Sequence, residues 1–145
     1  QRLKGYKDAL LHHNIPIDDE LVIYGKVTID SGRECMNRLL ALTNGPDGLF
    51  AVEDFTALGA MQAIKSAGRS IPGDIAIIGF ANEAFGEYIS PSLSTVDQQT
   101  IKMGEEAAKL FFELSIRERF YDKEVPKRIL EPVLVYRNSS IRKGA

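Results

Sequence analysis

Three short apolar runs constrain this chain more than any other feature: "LVIYG" at 21–25, "GLFAV" at 48–52 and "IAIIGF" at 75–80. Apolar runs of this length between turn signals suit strands buried on both faces, the pattern of a parallel sheet. The segments between them have helical spacing. Leu3, Tyr6, Leu10 and His13 form one stripe over residues 2–14, which Asn14 and Pro16 end. In "VTIDSGRECMNRLLALT", Met36, Leu39, Leu40 and Thr43 share a face, with Asp30 or Ser31 placed to cap the helix. A further helix is expected over 54–67, with Gly68 as its stop. Helix, strand, helix, strand, helix, strand predicts an α/β fold: an open, mostly parallel sheet with helices on both faces.

After Phe80 the pattern breaks into the irregular, polar "ANEAFGEYISPSLSTVDQQ". A long helix is expected from about 96 to 119, with Met103, Ala107, Leu110, Phe111 and Leu114 on its apolar side. A polar loop, a strand over 129–136 and a tail, "RNSSIRKGA", expected to fray complete the chain.

Composition removes several classes of function. A net charge of −2 in 145 residues leaves no basic stripe for nucleic acid. No apolar run approaches the roughly 18 residues of a membrane span, and the start carries no signal-peptide pattern. One cysteine, Cys35, excludes an internal disulfide. His12 and His13 are adjacent, so they cannot share a helix face, and no metal site or cofactor is expected. No nucleophile–base set, phosphate loop or dinucleotide fingerprint is present, so an enzyme is not expected.

Glu53 and Asp54 end the second apolar run at the mouth of a helix. Their side chains diverge, so they form no acid/base pair. Asp54 suits an N-cap. It also lies where open α/β sheets bind ligands, outside the carboxyl ends of the strands. There its two oxygens can accept from the hydroxyls of a polyol or pair with an amine.

Five segments in this order carry a resemblance: "RLKGY" (2–6), "FAVEDFTALGAMQAIKSAGRSIPGDIAIIGF" (50–80), "SPSLSTVDQ" (90–98), "MGEEAAKLFFELSI" (103–116) and "PVLVYRNSS" (132–140). Together they resemble the carboxyl-terminal half of a LacI/GalR-type transcriptional regulator. The resemblance implies one lobe of a two-lobed, periplasmic-binding-protein-like type 1 fold, with ligand in the cleft between lobes. It implies a lobe at 1–96 and 120–140 and a long helix at 97–119 that crosses to the other lobe. The DNA-binding domain and most of the first lobe are then not in this sequence.

By the same resemblance, Arg2 matches the family's cleft arginine and Asp54 its ligand-binding aspartate. Val27 stands where many members carry a stacking ring; being aliphatic it is a ligand-site candidate without a ring, with core as the alternative, and Phe55 is the candidate replacement ring or a packing residue. The family's "GFDD" reads Gly79-Phe80-Ala81-Asn82, so only Asn82 carries over, as a polar residue at the cleft edge. The implied function is that of a cytoplasmic effector-sensing, dimerising part of a repressor. The implied partners are a sugar or similar small molecule, a second copy, and operator DNA through another domain. A periplasmic solute-binding protein is the alternative on the same fold; the tail and the "STVDQ" run favour the regulator. With the first lobe missing, the apolar face of the long helix is expected to pack onto the sheet in an unfamiliar way or to be exchanged with another copy.

Overall fold

The computed structural model describes residues 1–116 and 126–142. Its elements are helix α1 (Arg2–His12), helix α2 (Ile29–Leu40), strand β1 (Gly48–Phe50), helix α3 (Asp54–Ser66), strand β2 (Ala76–Ile78), strand β3 (Thr95–Asp97), helix α4 (Thr100–Ile116) and strand β4 (Val133–Val135). The arrangement is the α/β fold expected. β1 and β2 run parallel, with Leu49 opposite Ile77. On the other edge of β2, the Gly79 N–H donates to the Ser94 carbonyl at 2.8 Å and the Ala81 N–H to that of Val96 at 3.0 Å. β3 then pairs with β4 antiparallel.

The core lies between the parallel pair and helices α2 and α3. Met36, Leu39, Ala57, Met61, Ile64 and Ile77 are among its buried side chains. The small residues of α3 let the two helices approach closely. A Cβ on Gly59 would stand 1.9 Å from the Ile29 carbonyl oxygen, and one on Gly32 would stand 2.1 Å from that of Thr56. The helix stops are as expected: Asn14 adopts φ 57° and Gly68 φ 71°, both left-handed.

Four expectations are corrected. Residues 22–25 are not a strand: Val22 is extended, but the segment pairs with neither β1 nor β2. A cavity of about 220 Å³, lined by Ile23, Met36, Phe50 and others, separates this segment from β1. The cap of α2 is Thr28, whose hydroxyl accepts from the Ser31 N–H; Asp30 and Ser31 lie inside the helix. The tail does not fray through Ser140. Ser139 is fully buried, donating from Oγ to the Ile77 carbonyl at 2.7 Å and accepting from the Ser94 N–H at 2.8 Å.

The fourth concerns α4, which does not pack onto the sheet. Among the described residues no helix or strand lies along it, and Phe111 and Phe112 are 56% and 61% exposed. Arg128 meets the helix from outside, 3.0 Å from Glu113. The helix also begins later than the expected 96, because Thr95–Asp97 is strand β3 held against β4; its expected end, 117–119, lies outside the described residues.

The loop before β2 is closed by one carboxylate. Asp74 Oδ2 accepts from both the hydroxyl and the N–H of Ser70 at 2.6 Å. The hydroxyl bond, then the amide bond, hold the Asp74 carboxyl below its ordinary 3.8. A carboxylate lowered by folding stabilises above its unfolded value, and that contribution is lost as pH falls through the folded value. Ser70→Ala is therefore expected to move the Asp74 midpoint up towards 3.8 and to shrink the acid-side loss of stability. A carboxyl-carbon NMR titration reads the first and thermal melts at descending pH the second.

Candidate functional site

The carboxyl ends of β1 and β2 meet the start of α1. Arg2 opens α1 and remains exposed. Its guanidinium donates to the Val52 carbonyl at 2.6 Å and lies 3.8 Å from the centroid of the Phe80 ring. Val52 follows β1 and Phe80 follows β2, so one cation ties both strand ends to the helix. A guanidinium over an aromatic face is held electrostatically by the ring, and among the described residues its remaining N–H groups have no acceptor and can donate.

The two acids face opposite ways. Glu53, not Asp54, caps α3: its Oε2 accepts from the N–H of Phe55 at 2.8 Å and of Thr56 at 3.2 Å. Its other oxygen makes no hydrogen bond among the described residues, and the side chain is half-buried. Asp54 is 0% exposed. Its Oδ1 accepts from the Thr95 hydroxyl and its Oδ2 from the Glu83 N–H, both at 2.8 Å. The expectation that Asp54 offers two oxygens to a solute is thus corrected: both are filled from within. Gly79 makes this possible, because a Cβ there would stand 2.1 Å from Asp54 Oδ1. Asp54 is the base on which the site's loops rest.

The other expected residues are placed as follows. Val27 is 60% exposed, beside the cap of α2, so of its two readings the core one is corrected. Phe55 is 41% exposed and its ring lies 4.9 Å from that of Phe85. Asn82 is half-buried at the edge, but both ends of its amide are used: Nδ2 donates to Asp97 Oδ2 at 3.2 Å and Oδ1 accepts from Arg137 at 2.9 Å. Sequence reasoning gives no binding role to Phe80, Phe85 or Arg137, and considers Glu53 only as the neighbour of Asp54. For Glu53 the signal was its place immediately after the apolar run, which Asp54 shares one residue later.

Chemically, the edge presents a cation, one open carboxylate oxygen and aromatic rings. That set suits a neutral polyol or a small anion. Among the described residues no group of three or more His, Cys, Asp or Glu could hold a metal ion. No helix among them is long and apolar enough to cross a membrane.

A family model for the periplasmic binding protein-like domain matches residues 1–140. The HTH-type transcriptional repressor PurR of Mannheimia succiniciproducens is 36% identical over 141 residues, covering 96% of this chain and 41% of its own length. The solved complex of the transcriptional regulator CelR with cellobiose superposes with a TM-score of 0.87 at 34% identity, covering 96% of this chain and 42% of that one. A LacI family transcriptional regulator from Enterococcus faecium, solved with bound ribose, gives 0.82 at 32% identity over 96% of this chain and 50% of its own. The chain spans less than half the length of the curated relatives it matches.

Proposed function

From the premise that this chain belongs to the periplasmic binding protein-like domain family, in the form carried by LacI-type transcriptional regulators, we propose that it is the effector-sensing lobe of a cytoplasmic repressor. The effector is a sugar or a close polar relative. It lies at the strand ends between this lobe and a second one. Arg2 donates to its hydroxyl or carboxylate oxygens. The open oxygen of Glu53 accepts from a hydroxyl, and Phe55 and Val27 flank the ring of the ligand.

The single observation that supports this most is Arg2, held by Val52 and Phe80 at the mouth of the strands with donors to spare. That two solved relatives hold cellobiose and ribose supports the sugar class. The reading assigns the exposed apolar side of α4, Thr100–Ile116, to contact with the other lobe, as the crossing helix. It assigns the assembly to a homodimer and DNA binding to another domain.

The test uses the complete product of the gene. Its binding to DNA flanking its own gene is measured by fluorescence anisotropy with and without a panel of sugars that includes cellobiose and ribose. One sugar is expected to change the affinity at least tenfold, and Arg2→Ala is expected to abolish that response while leaving sugar-free DNA binding intact. A product that binds sugar but no DNA contradicts the regulator reading.

A further inference from the structure

The carboxyl-terminal segment, expected from sequence to fray, is instead tied into the cleft edge through one arginine. The Arg137 side chain is 11% exposed. Its NH1 donates to the Leu93 carbonyl at 2.9 Å; its NH2 donates to Asn82 Oδ1 at 2.9 Å and to Glu87 Oε1 at 2.8 Å. The backbone of Arg137 is clamped as well, its N–H donating to Ser94 Oγ at 2.7 Å and its carbonyl accepting from that hydroxyl at 2.9 Å.

The residue it grips occupies a strained turn. Ala81 has φ 126° and Asn82 φ 59°, both in the range that L side chains rarely adopt. Such a backbone persists only where its surroundings over-determine it. Charge does this here. Arg137 has only donors, so it accepts only the oxygen end of the Asn82 amide; Asp97 has only acceptors, so it takes only the nitrogen end. The amide has one orientation that satisfies both. The same turn carries Phe80, on which the Arg2 cation rests, and Glu83, whose N–H is held by Asp54. Asp97 in turn accepts from the Gln99 N–H at 2.6 Å, one residue before α4 begins.

We propose that Arg137 is a positioning residue for the effector site: through Asn82 it sets the height of the Phe80–Glu83 turn and links it to the segment that enters α4. The functional half of this inference rests on the effector reading above; the structural half stands without it.

The test compares the chain with its Arg137→Gln variant by two readouts. Amide hydrogen exchange, which needs no ligand, is followed at Asn82 and Glu83, with Ala51 and Ala57 as reference positions in β1's continuation and α3. The expected result is exchange at least tenfold faster at Asn82 and Glu83, with the reference amides unchanged. Unchanged exchange at the turn, or equal acceleration everywhere, overturns the proposal, because Arg137 then either holds nothing there or serves only global stability. The second readout is affinity for cellobiose and ribose by NMR titration. Where the wild-type chain binds either sugar, the variant is expected to bind it at least fivefold more weakly; equal affinity with a loosened turn overturns the functional half. If neither sugar binds the wild-type chain, the effector reading fails for those sugars and exchange alone decides. If Arg137→Gln does not fold, Arg137→Lys carries both readouts, since a single ammonium keeps the charge but cannot reproduce the planar fork.

Discussion

Gly59→Ala is expected to destabilise the chain by about 3 kcal/mol or more, the upper range for forcing extra volume into a packed interior. The added methyl would stand 1.9 Å from the Ile29 carbonyl oxygen and 2.8 Å from the Arg33 N–H nitrogen. Both are backbone atoms of α2, so no side chain can rotate to make room. The helices must separate, and with them the buried contacts of Met36, Met61 and Ile64. Alanine is a better helix former than glycine by about 0.8–1 kcal/mol, so helix propensity alone predicts the opposite sign. Urea denaturation therefore separates the two effects. Gly104→Ala, in α4 where a Cβ meets nothing within 4 Å, is the control in which propensity is expected to win.

The second large effect belongs to Asp54. Asp54→Ala leaves the Thr95 hydroxyl and the Glu83 N–H without their acceptor, in a place where the carboxylate itself is fully buried. A buried polar group left unpaired costs about 1–3 kcal/mol, so a loss of roughly 2–6 kcal/mol is expected for the pair. Asp54→Asn is expected to lose less than Asp54→Ala, because its amide oxygen can still accept from the Glu83 N–H while its amide nitrogen donates to the Thr95 hydroxyl, which accepts as well as donates. The neighbouring Glu53→Ala removes only a helix cap, worth about 1 kcal/mol. Thermal melts of the two alanine variants thus distinguish the acid that supports the fold from the acid that faces outward. Equal losses would contradict the assignment of their roles.

The fold class and the helices were legible because they depend on local spacing. The helix expected over 54–67 is α3, Asp54–Ser66, and the left-handed stops at Asn14 and Gly68 follow from their residue types. The site was less legible for a physical reason. Glu53 and Asp54 both suit a helix start, and which one turns inward depends on helix phase and on Gly79 beneath, which lies 25 residues away in sequence. The tail was misread because "RNSS" is polar. Its burial rests on partners at Ile77, Asn82 and Ser94, and no local pattern announces hydrogen bonds across that separation. The run at 21–25 has the composition of a strand, yet composition does not place a neighbour against it.

The central proposal is that the strand ends around Arg2 receive a sugar-like effector. The most direct measurement is an NMR titration of the ¹⁵N-labelled chain with neutral sugars and sugar acids, cellobiose and ribose included. One lobe is expected to bind weakly, in the millimolar range, which fast-exchange shifts detect. The predicted result is saturable movement confined to Arg2, Val27, Glu53, Phe55 and Phe80, abolished in Arg2→Ala. Movement that clusters elsewhere, or no saturable movement with any sugar, would contradict the claim.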